Sequence, residues 1–424
     1  MFTKFKEYWN KIGPGLVTGA ADDDPSGIAT YSQAGAQYGF SFLWTSLFTF
    51  PFMAVVQEMC ARLGIVTGKG LASAIRTYCP PYVLYTATIF LMIANTFNIG
   101  ADISAVGEAV QLLFPHISAI AIVLAFTFTS LMLQVFIPYQ KYSKYLKYLS
   151  FVLIAYILAG LSIDFVWRDL IVSTLIPHFT FDKNSVLLIC AILGTSISPY
   201  LFFWQTSQEV EENIAQRKGD HFVGSEISVV DTKHAIKDMR FDVWTGMFFS
   251  NITMFFIIAV CGAVLFPNGV TNIETASQAA EALLPFAGRF TYLLFALGII
   301  GTGLLAVPIL AGSTAYAISE TFKFKEGLYR KYTEAKAFYG IIAISMFVGL
   351  LITFVGIPPM KALFYSAVLN GIIAPPLLFI IVYLSSKEII MKEWKNTKLQ
   401  SFLGWVITII MALASSMTLF YIFV

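Results

Sequence analysis

Apolar residues fall along this chain in long blocks separated by short clusters of charge, and the blocks have the length of a bilayer crossing, roughly 17 to 25 residues. They predict spans near residues 13–36, 41–61, 83–108, 118–138, 148–167, 186–209, 243–265, 289–317, 338–356, 361–385 and 400–423. Helices are the expected form, because an open sheet edge finds no water inside hydrocarbon to satisfy its backbone groups. The predicted fold class is an all-α integral membrane protein of about eleven transmembrane helices. The first span is the least apolar, reading GPGLVTGAADDDPSGIATYSQAGAQYG with three consecutive aspartates.

Charge supports counting that span. Lysine and arginine concentrate in loops on the cytoplasmic side. The amino-terminal segment and those after spans two, four, six, eight and ten hold 3, 3, 3, 5, 5 and 4 basic residues, together 23 of the 27. The opposite side has only Arg168, Lys183, Arg289 and Lys361. Omitting a span would scramble this asymmetry, which places the amino terminus in the cytoplasm and the carboxyl end outside. A plasma membrane, such as a bacterial inner membrane, is the expected location. Composition agrees: 57% of residues are hydrophobic and 12% charged, whereas a soluble domain averages roughly 25% charged.

Two spans carry interruptions. In GAADDDPSG, Gly19 to Gly27, Pro25 removes a backbone donor and Gly27 relaxes the chain two residues later. Carbonyls freed by a mid-membrane break are tolerated only where protein or a water-filled cavity surrounds them. Asp24 immediately precedes the break, so its carboxylate and the carbonyls of Ala20 or Ala21 offer a hard, oxygen-rich cation site; a surface helix terminus capped by Asp24 is the competing reading. Asp22 and Asp23 would line the same cavity or an entry path. Span six repeats the feature in GTSISPYLFFWQ, where Pro199 interrupts the helix and Thr195, Ser196 and Ser198 supply hydroxyls. Breaks in spans one and six imply two five-helix repeats, and an odd repeat length makes them inverted, the arrangement that marks a transporter's central site. The repeats are expected over residues 1–169 and 170–385, with a cytoplasmic linker and the eleventh helix over 386–424.

Elsewhere in the spans, Asn95, Asn98 and Asp102 recur at helical spacing and predict a polar stripe on span three, with Glu108 near the outer interface. Asn370, in SAVLNGIIAPP, could reach the cavity through its amide. Gln57 and Glu58 lie beside Arg62 at a cytoplasmic helix end, where ion pairing or anchoring is expected. The polar connection over 210–241 reads as a solvated linker with room for one short amphipathic helix, and His221 and His234 in it lack a regular set of partners. Cys60, Cys79, Cys190 and Cys261 have no CxxC spacing and read as small hydrophobes. The segment MFTKFKEYWNK is too polar for a signal-peptide core. No Walker motif, dinucleotide fingerprint or nucleophile and base pair is present, so neither an ATP-driven pump nor an enzyme is expected, and no cofactor, nucleic acid or obligate protein partner is implied.

The first-span motif, continuing through ARLGIVTGKGLA, resembles the Nramp family of divalent-metal transporters, and especially its branch of Nramp-related magnesium transporters. The resemblance implies a LeuT-like inverted repeat of five plus five helices and one more, with helices one and six broken at mid-membrane. Ordinary members read Asp-Pro-Gly-Asn at the first break; here the positions are Asp24, Pro25, Ser26 and Gly27. Their sixth-span pattern, Ala-x-x-Met-Pro-His, falls on Thr195 to Tyr200, so methionine becomes Ser198 and histidine becomes Tyr200. The resemblance thus implies a metal site of Asp24, Ala21, Gly27, Thr195, Ser196, Ser198 and Asn370, with Asp22, Asp23, Asn98, Asp102 and Tyr200 as pathway or relay groups.

Loss of sulfur removes a preference for transition metals, and Gly27 in place of asparagine implies a wider pocket able to hold partly hydrated magnesium. Tyr200 does not titrate near neutral pH, and one of two acidic groups on span three is replaced by Ala105, which implies weak or no proton coupling. The expectation is uptake of magnesium, with manganese as surrogate, by alternating access. About 4.6 kcal/mol for two charges at roughly 100 mV would drive it. The alternatives are a proton-coupled manganese or iron importer of the ordinary type, a sodium-coupled organic-solute symporter, and a non-transporting receptor or scaffold.

Overall fold

The computed structural model of the chain describes residues 13–137, 153–219, 229–281, 284, 288 and 291–424. Its helices are α1 (Pro14–Asp22), α2 (Pro25–Tyr38), α3 (Leu43–Thr67), α4 (Leu71–Tyr78), α5 (Pro81–Leu113), α6 (Ala119–Phe136), α7 (Ile154–Leu161), α8 (Trp167–Leu175), α9 (Lys183–Ser196), α10 (Pro199–Gly219), α11 (Val229–Val264), α12 (Ala276–Glu281), α13 (Thr291–Phe322), α14 (Lys336–Ile352), α15 (Pro359–Ser386), α16 (Glu388–Met391) and α17 (Lys398–Phe423). Among the described residues, nine helical segments are long and apolar enough to cross a membrane, with α9 and α10 counted as one. The predicted first span is the pair α1 and α2, and the first five residues of the predicted fifth, 148–152, lie outside the described residues.

Both predicted breaks are present, and they are built alike. The helix stops at Asp22, two residues leave helical geometry (Asp23 at φ −89°, ψ 48° and Asp24 at φ −62°, ψ 173°), and Pro25 opens the next helix. In the sixth span Ile197 (φ −127°, ψ 63°) and Ser198 form the gap and Pro199 opens α10. Proline disfavours helical geometry in the residue before it yet suits the first position of a helix, so each Xaa-Pro step ends one half and starts the other. The gap thus lies before Pro25 rather than around Gly27, which sits inside the first turn of α2.

The broken helices are wrapped by long ones. α11 lies along α1, α2 and α3, α13 lies along α5, and α15 packs on α9, α5 and α17. Close approach of α1 to α11 requires glycine: a Cβ at Gly19 would meet the Gly246 carbonyl carbon at 2.3 Å, and one at Gly246 would meet the Gly15 oxygen at 2.2 Å. Asp242 of α11 caps α1, accepting from the backbone N–H of Gly15 (2.6 Å) and of Leu16 (3.2 Å), which matches a carboxylate to a helix amino terminus. At the start of α9, hydrogen bonds from the side chains of Ser185 and Thr180 hold the Asp182 carboxyl down at about 2.

The connection after span six is more helical than its polarity suggests. α10 continues to Gly219 and α11 begins at Val229, so helix takes most of 210–241, while His221 and the rest of 220–228 lie outside the described residues.

Candidate metal centre

The two gaps meet, and Asp24 stands between them. Asp24 is 1% exposed, in the gap between α1 and α2 and enclosed by the bundle. Oδ1 accepts from the Ser26 hydroxyl (2.5 Å) and the Gly27 backbone N–H (2.9 Å), capping α2. Oδ2 accepts from Asn98 Nδ2 (3.0 Å) and faces the Tyr200 hydroxyl at 3.4 Å. Asp24 is therefore a helix cap and a buried charge at once. The Tyr200 hydroxyl also donates to the Ala21 carbonyl at 2.5 Å, joining the halves of both broken helices.

Span six contributes as predicted in place, though not in direction. Ser198 donates its hydroxyl back to the carbonyls of Thr195 (2.6 Å) and Gly194 (3.0 Å), leaving only its lone pairs for a ligand. Thr195 turns toward the first gap, its hydroxyl 3.5 Å from the Asp22 carbonyl. Ser196 meets the Tyr31 hydroxyl at 3.1 Å and donates to the Met254 sulfur at 3.9 Å. Space beside Gly27 is not open: an added Cβ would meet Thr195 Oγ1 at 3.0 Å and the Asp22 carbonyl at 3.3 Å. Thr195 packs into the room that a side chain at Gly27 would take.

The remaining polar groups divide by what they touch. Asn98 belongs to the centre itself, and its Oδ1 is a buried acceptor without a partner. Asn95, one turn earlier on the same face, donates instead to the Leu310 carbonyl and Thr314. Asp102 is fully buried, and neither oxygen has a hydrogen-bond partner. Asp22 accepts from Ser250 of α11 at 3.1 Å, while both oxygens of Asp23 lack hydrogen-bond partners. Asn370 is buried with its whole amide unpartnered, on the stretch of α15 that abuts Gly194, and makes no hydrogen bond to Asp24. Sequence reasoning passed over Tyr31, Ser250 and Met254, since single such residues in apolar runs look like ordinary core.

The electrostatics are lopsided. Among the described residues, no ion pair to lysine or arginine reaches Asp22, Asp23, Asp24 or Asp102, and no three His, Cys, Asp or Glu side chains converge on one metal position. Like charges gathered away from water are costly unless a cation or a proton compensates them. The donor set suits a divalent ion taken as substrate: one carboxylate, an amide oxygen, carbonyls and hydroxyls, with a thioether at the edge.

Comparison with known proteins gives this geometry a family. The profile described as "Natural resistance-associated macrophage protein-like", Nramp, matches residues 15–421. The chain is 25% identical to "Divalent metal cation transporter MntH" of Klebsiella pneumoniae (strain 342), covering 94% of this chain and 91% of that one. It is 26% identical to the protein of the same name from Yersinia pestis (strain Pestoides F), over 94% and 92% of the two chains. In structure it is similar to the manganese transporter of Eremococcus coleocola, with a TM-score of 0.78 at 20% identity over 98% of this chain and 87% of that one. It also resembles Mhp1, a nucleobase-cation-symport-1 family transporter, with a TM-score of 0.57 at 16% identity over 97% and 92%. These likenesses establish the LeuT-like inverted repeat with broken helices.

They also correct the expected cargo. The relatives matched over almost their whole length are named as divalent metal cation transporters, so the reading of an uncoupled magnesium carrier is withdrawn.

Proposed function

The chain belongs to the Nramp family of divalent-metal transporters, and from that premise we propose that it carries manganese, with proton movement coupled to metal movement, across a bacterial membrane. The single observation that carries this reading is the Asp24 cluster: a buried carboxylate at the meeting of two helix gaps, held by Asn98 and Tyr200. The ligand types missing from the two breaks return from neighbouring helices. Asn98 of α5 supplies an amide with an unpartnered oxygen in place of the one lost at Gly27, and Met254 of α11 supplies sulfur near Ser196 in place of the one lost at Ser198. Sulfur favours transition metals over magnesium and calcium where it enters the coordination shell, a place proposed for Met254 as an ion passes Ser196. The proposed ligands are Asp24, the Ala21 carbonyl, Thr195, Ser198 and Asn98; Ser196 and Asn370 border them, and Gly27 acts through its backbone rather than a side chain.

Coupling follows from compensation of charge. Among the described residues Asp22, Asp23, Asp24 and Asp102 have no basic partner, so a metal ion entering among them takes over compensation that protons supply in its absence. Asp102, one turn beyond Asn98 on α5, is the proposed relay, with Asp22 and Asp23 on the branch toward Ser250 and Tyr200 as a gatepost between the halves. The repeats are proposed over residues 1–169 and 170–385, followed by 386–424, with the basic loops and the amino terminus in the cytoplasm.

Purified protein in liposomes containing a manganese-sensitive and a pH-sensitive dye tests both parts. Manganese entry should acidify the lumen and accelerate when the outside is made acidic, and Asp24→Ala should abolish both signals. Manganese entry with no luminal pH change under either gradient would overturn the coupling. Equal flux of magnesium and manganese would overturn the cargo.

A further inference from the structure

A groove of about 660 Å³ lies on the flank of the bundle, between the start of α5, the second half of α15 and the middle of α17. That volume is within the roughly 300 to 1,000 Å³ of ligand-sized sites. Its walls are almost wholly apolar and aromatic, with Phe90 and Phe379 at its sides and the small side chains of Ala87 and Ala412 giving it depth. Phe90 is 38% and Phe379 52% exposed, so the groove opens sideways, toward the hydrocarbon of the bilayer.

One end of the groove is basic. Tyr78 and Tyr383 line it there, and each carries an ammonium: Lys69 Nζ lies 5.8 Å from the Tyr78 ring centre, and Lys387 Nζ lies 4.6 Å from that of Tyr383. Cation–π contact holds an ammonium at a ring face while leaving its N–H donors outward. Lys69 gives one donor to Thr77 Oγ1 at 3.2 Å. Neither lysine is in an ion pair among the described residues, whereas the nearby Lys395 is committed to Glu388 at 2.6 Å. Both lysines follow spans two and ten, on the side where basic residues accumulate and where the membrane surface is anionic.

We propose that this groove is a binding site for an anionic phospholipid, one acyl chain lying along Phe90 and Phe379 and the phosphate between Lys69 and Lys387. A purely apolar furrow would take any lipid. The paired lysines at the mouth make the occupant's head group selective, and the aromatic rings below them fix the depth of that head group at the interface. Because α5 carries Asn98 and Asp102 and α15 carries Asn370, the lipid would bridge helices that also build the metal centre.

Native mass spectrometry of the whole protein in neutral detergent, with phosphatidylglycerol and phosphatidylcholine of identical chains at equal concentration, reads the selectivity without any transport assay. The wild type should retain phosphatidylglycerol about tenfold or more over phosphatidylcholine, as two lysines beside one phosphate imply. The double variant K69Q/K387Q should bring the two lipids to near equality, K69R/K387R should keep the preference, and Ala412→Phe should reduce retention of both by filling the groove. Glycerol phosphate, which has no chains, should not displace the lipid. Equal retention of both lipids by the wild type, an undiminished preference in K69Q/K387Q, or displacement by glycerol phosphate would each overturn the proposal. Loss of selectivity would leave the manganese reading untouched, since lipid retention is measured without metal.

Discussion

Asp24 does two things with its two oxygens, and this division explains why a carboxylate can sit in the middle of a membrane protein. Oδ1 caps α2 through the Gly27 N–H, so the charge stabilises a helix start, while Oδ2 is shared by Asn98 and the Tyr200 hydroxyl. Removing Asn98 should leave the cap intact and loosen only the second oxygen. Asn98→Ala is expected to raise the manganese concentration for half-maximal uptake by roughly 10- to 100-fold, the range seen when a group orienting a metal ligand is lost. Uptake kinetics at fixed voltage check this, and an unchanged value would reduce Asn98 to a packing role. Asp24 was legible in the sequence because a charge directly before proline in an apolar span has few structural explanations. Asn98 and Asp102 were legible as a stripe, because a helix returns to the same face after three or four residues. Met254 and Ser250 were not, since nothing local separates them from core residues.

At the scale of elements, the broken helix is held from one side by α11 through backbone contact rather than side-chain packing. Gly15, Gly19 and Gly246 let the two chains approach until only hydrogen atoms fit between them, an arrangement that small residues allow in membranes, where apolar burial alone does not drive helices together. Gly246→Val should therefore cost about 1–3 kcal/mol or more by overpacking, seen as an earlier thermal transition in detergent with loss of manganese flux. A variant as stable and active as wild type would show that α1 has room to shift. The breaks themselves came through from sequence because they depend on an Xaa-Pro step, which acts on its own neighbours. Their position was displaced by two residues, since Gly27 looked like a hinge while its actual constraint is Thr195, far along the chain. The extents of α10 and α11 beyond the hydrophobic blocks were hidden because helix can continue into water once its first turns are anchored.

Across the whole molecule, one buried acid ties three distant helices. Glu58 of α3 pairs with Arg62 at 3.3 Å and Arg240 of α11 at 2.9 Å, and accepts from Trp244 and from Gln400 of α17. The side chains of Arg62 and Glu58 are 3% and 2% exposed, so Glu58→Gln leaves a buried guanidinium without its charge partner. The expected loss is about 3–5 kcal/mol, measured by denaturation in detergent, whereas Glu388→Gln in the exposed pair with Lys395 should leave stability unchanged. Equal behaviour of the two variants would mean that the Glu58 network is not a structural tie. Sequence placed Glu58 beside Arg62, four residues on, but had no means of bringing in Arg240 or Gln400. By itself the sequence determined the membrane environment, the helical class, the two gaps and the acid between them, because these follow from composition and from constraints acting within a turn or two. The tertiary structure decided what the gaps enclose: Asn98 reaches Asp24 across 74 residues and Ser250 reaches Asp22 across 228. Such meetings depend on how whole helices lie against one another, as do the approach of Thr195 to Gly27 and of Met254 to Ser196, a balance of packing over the entire bundle that no short stretch of chain records.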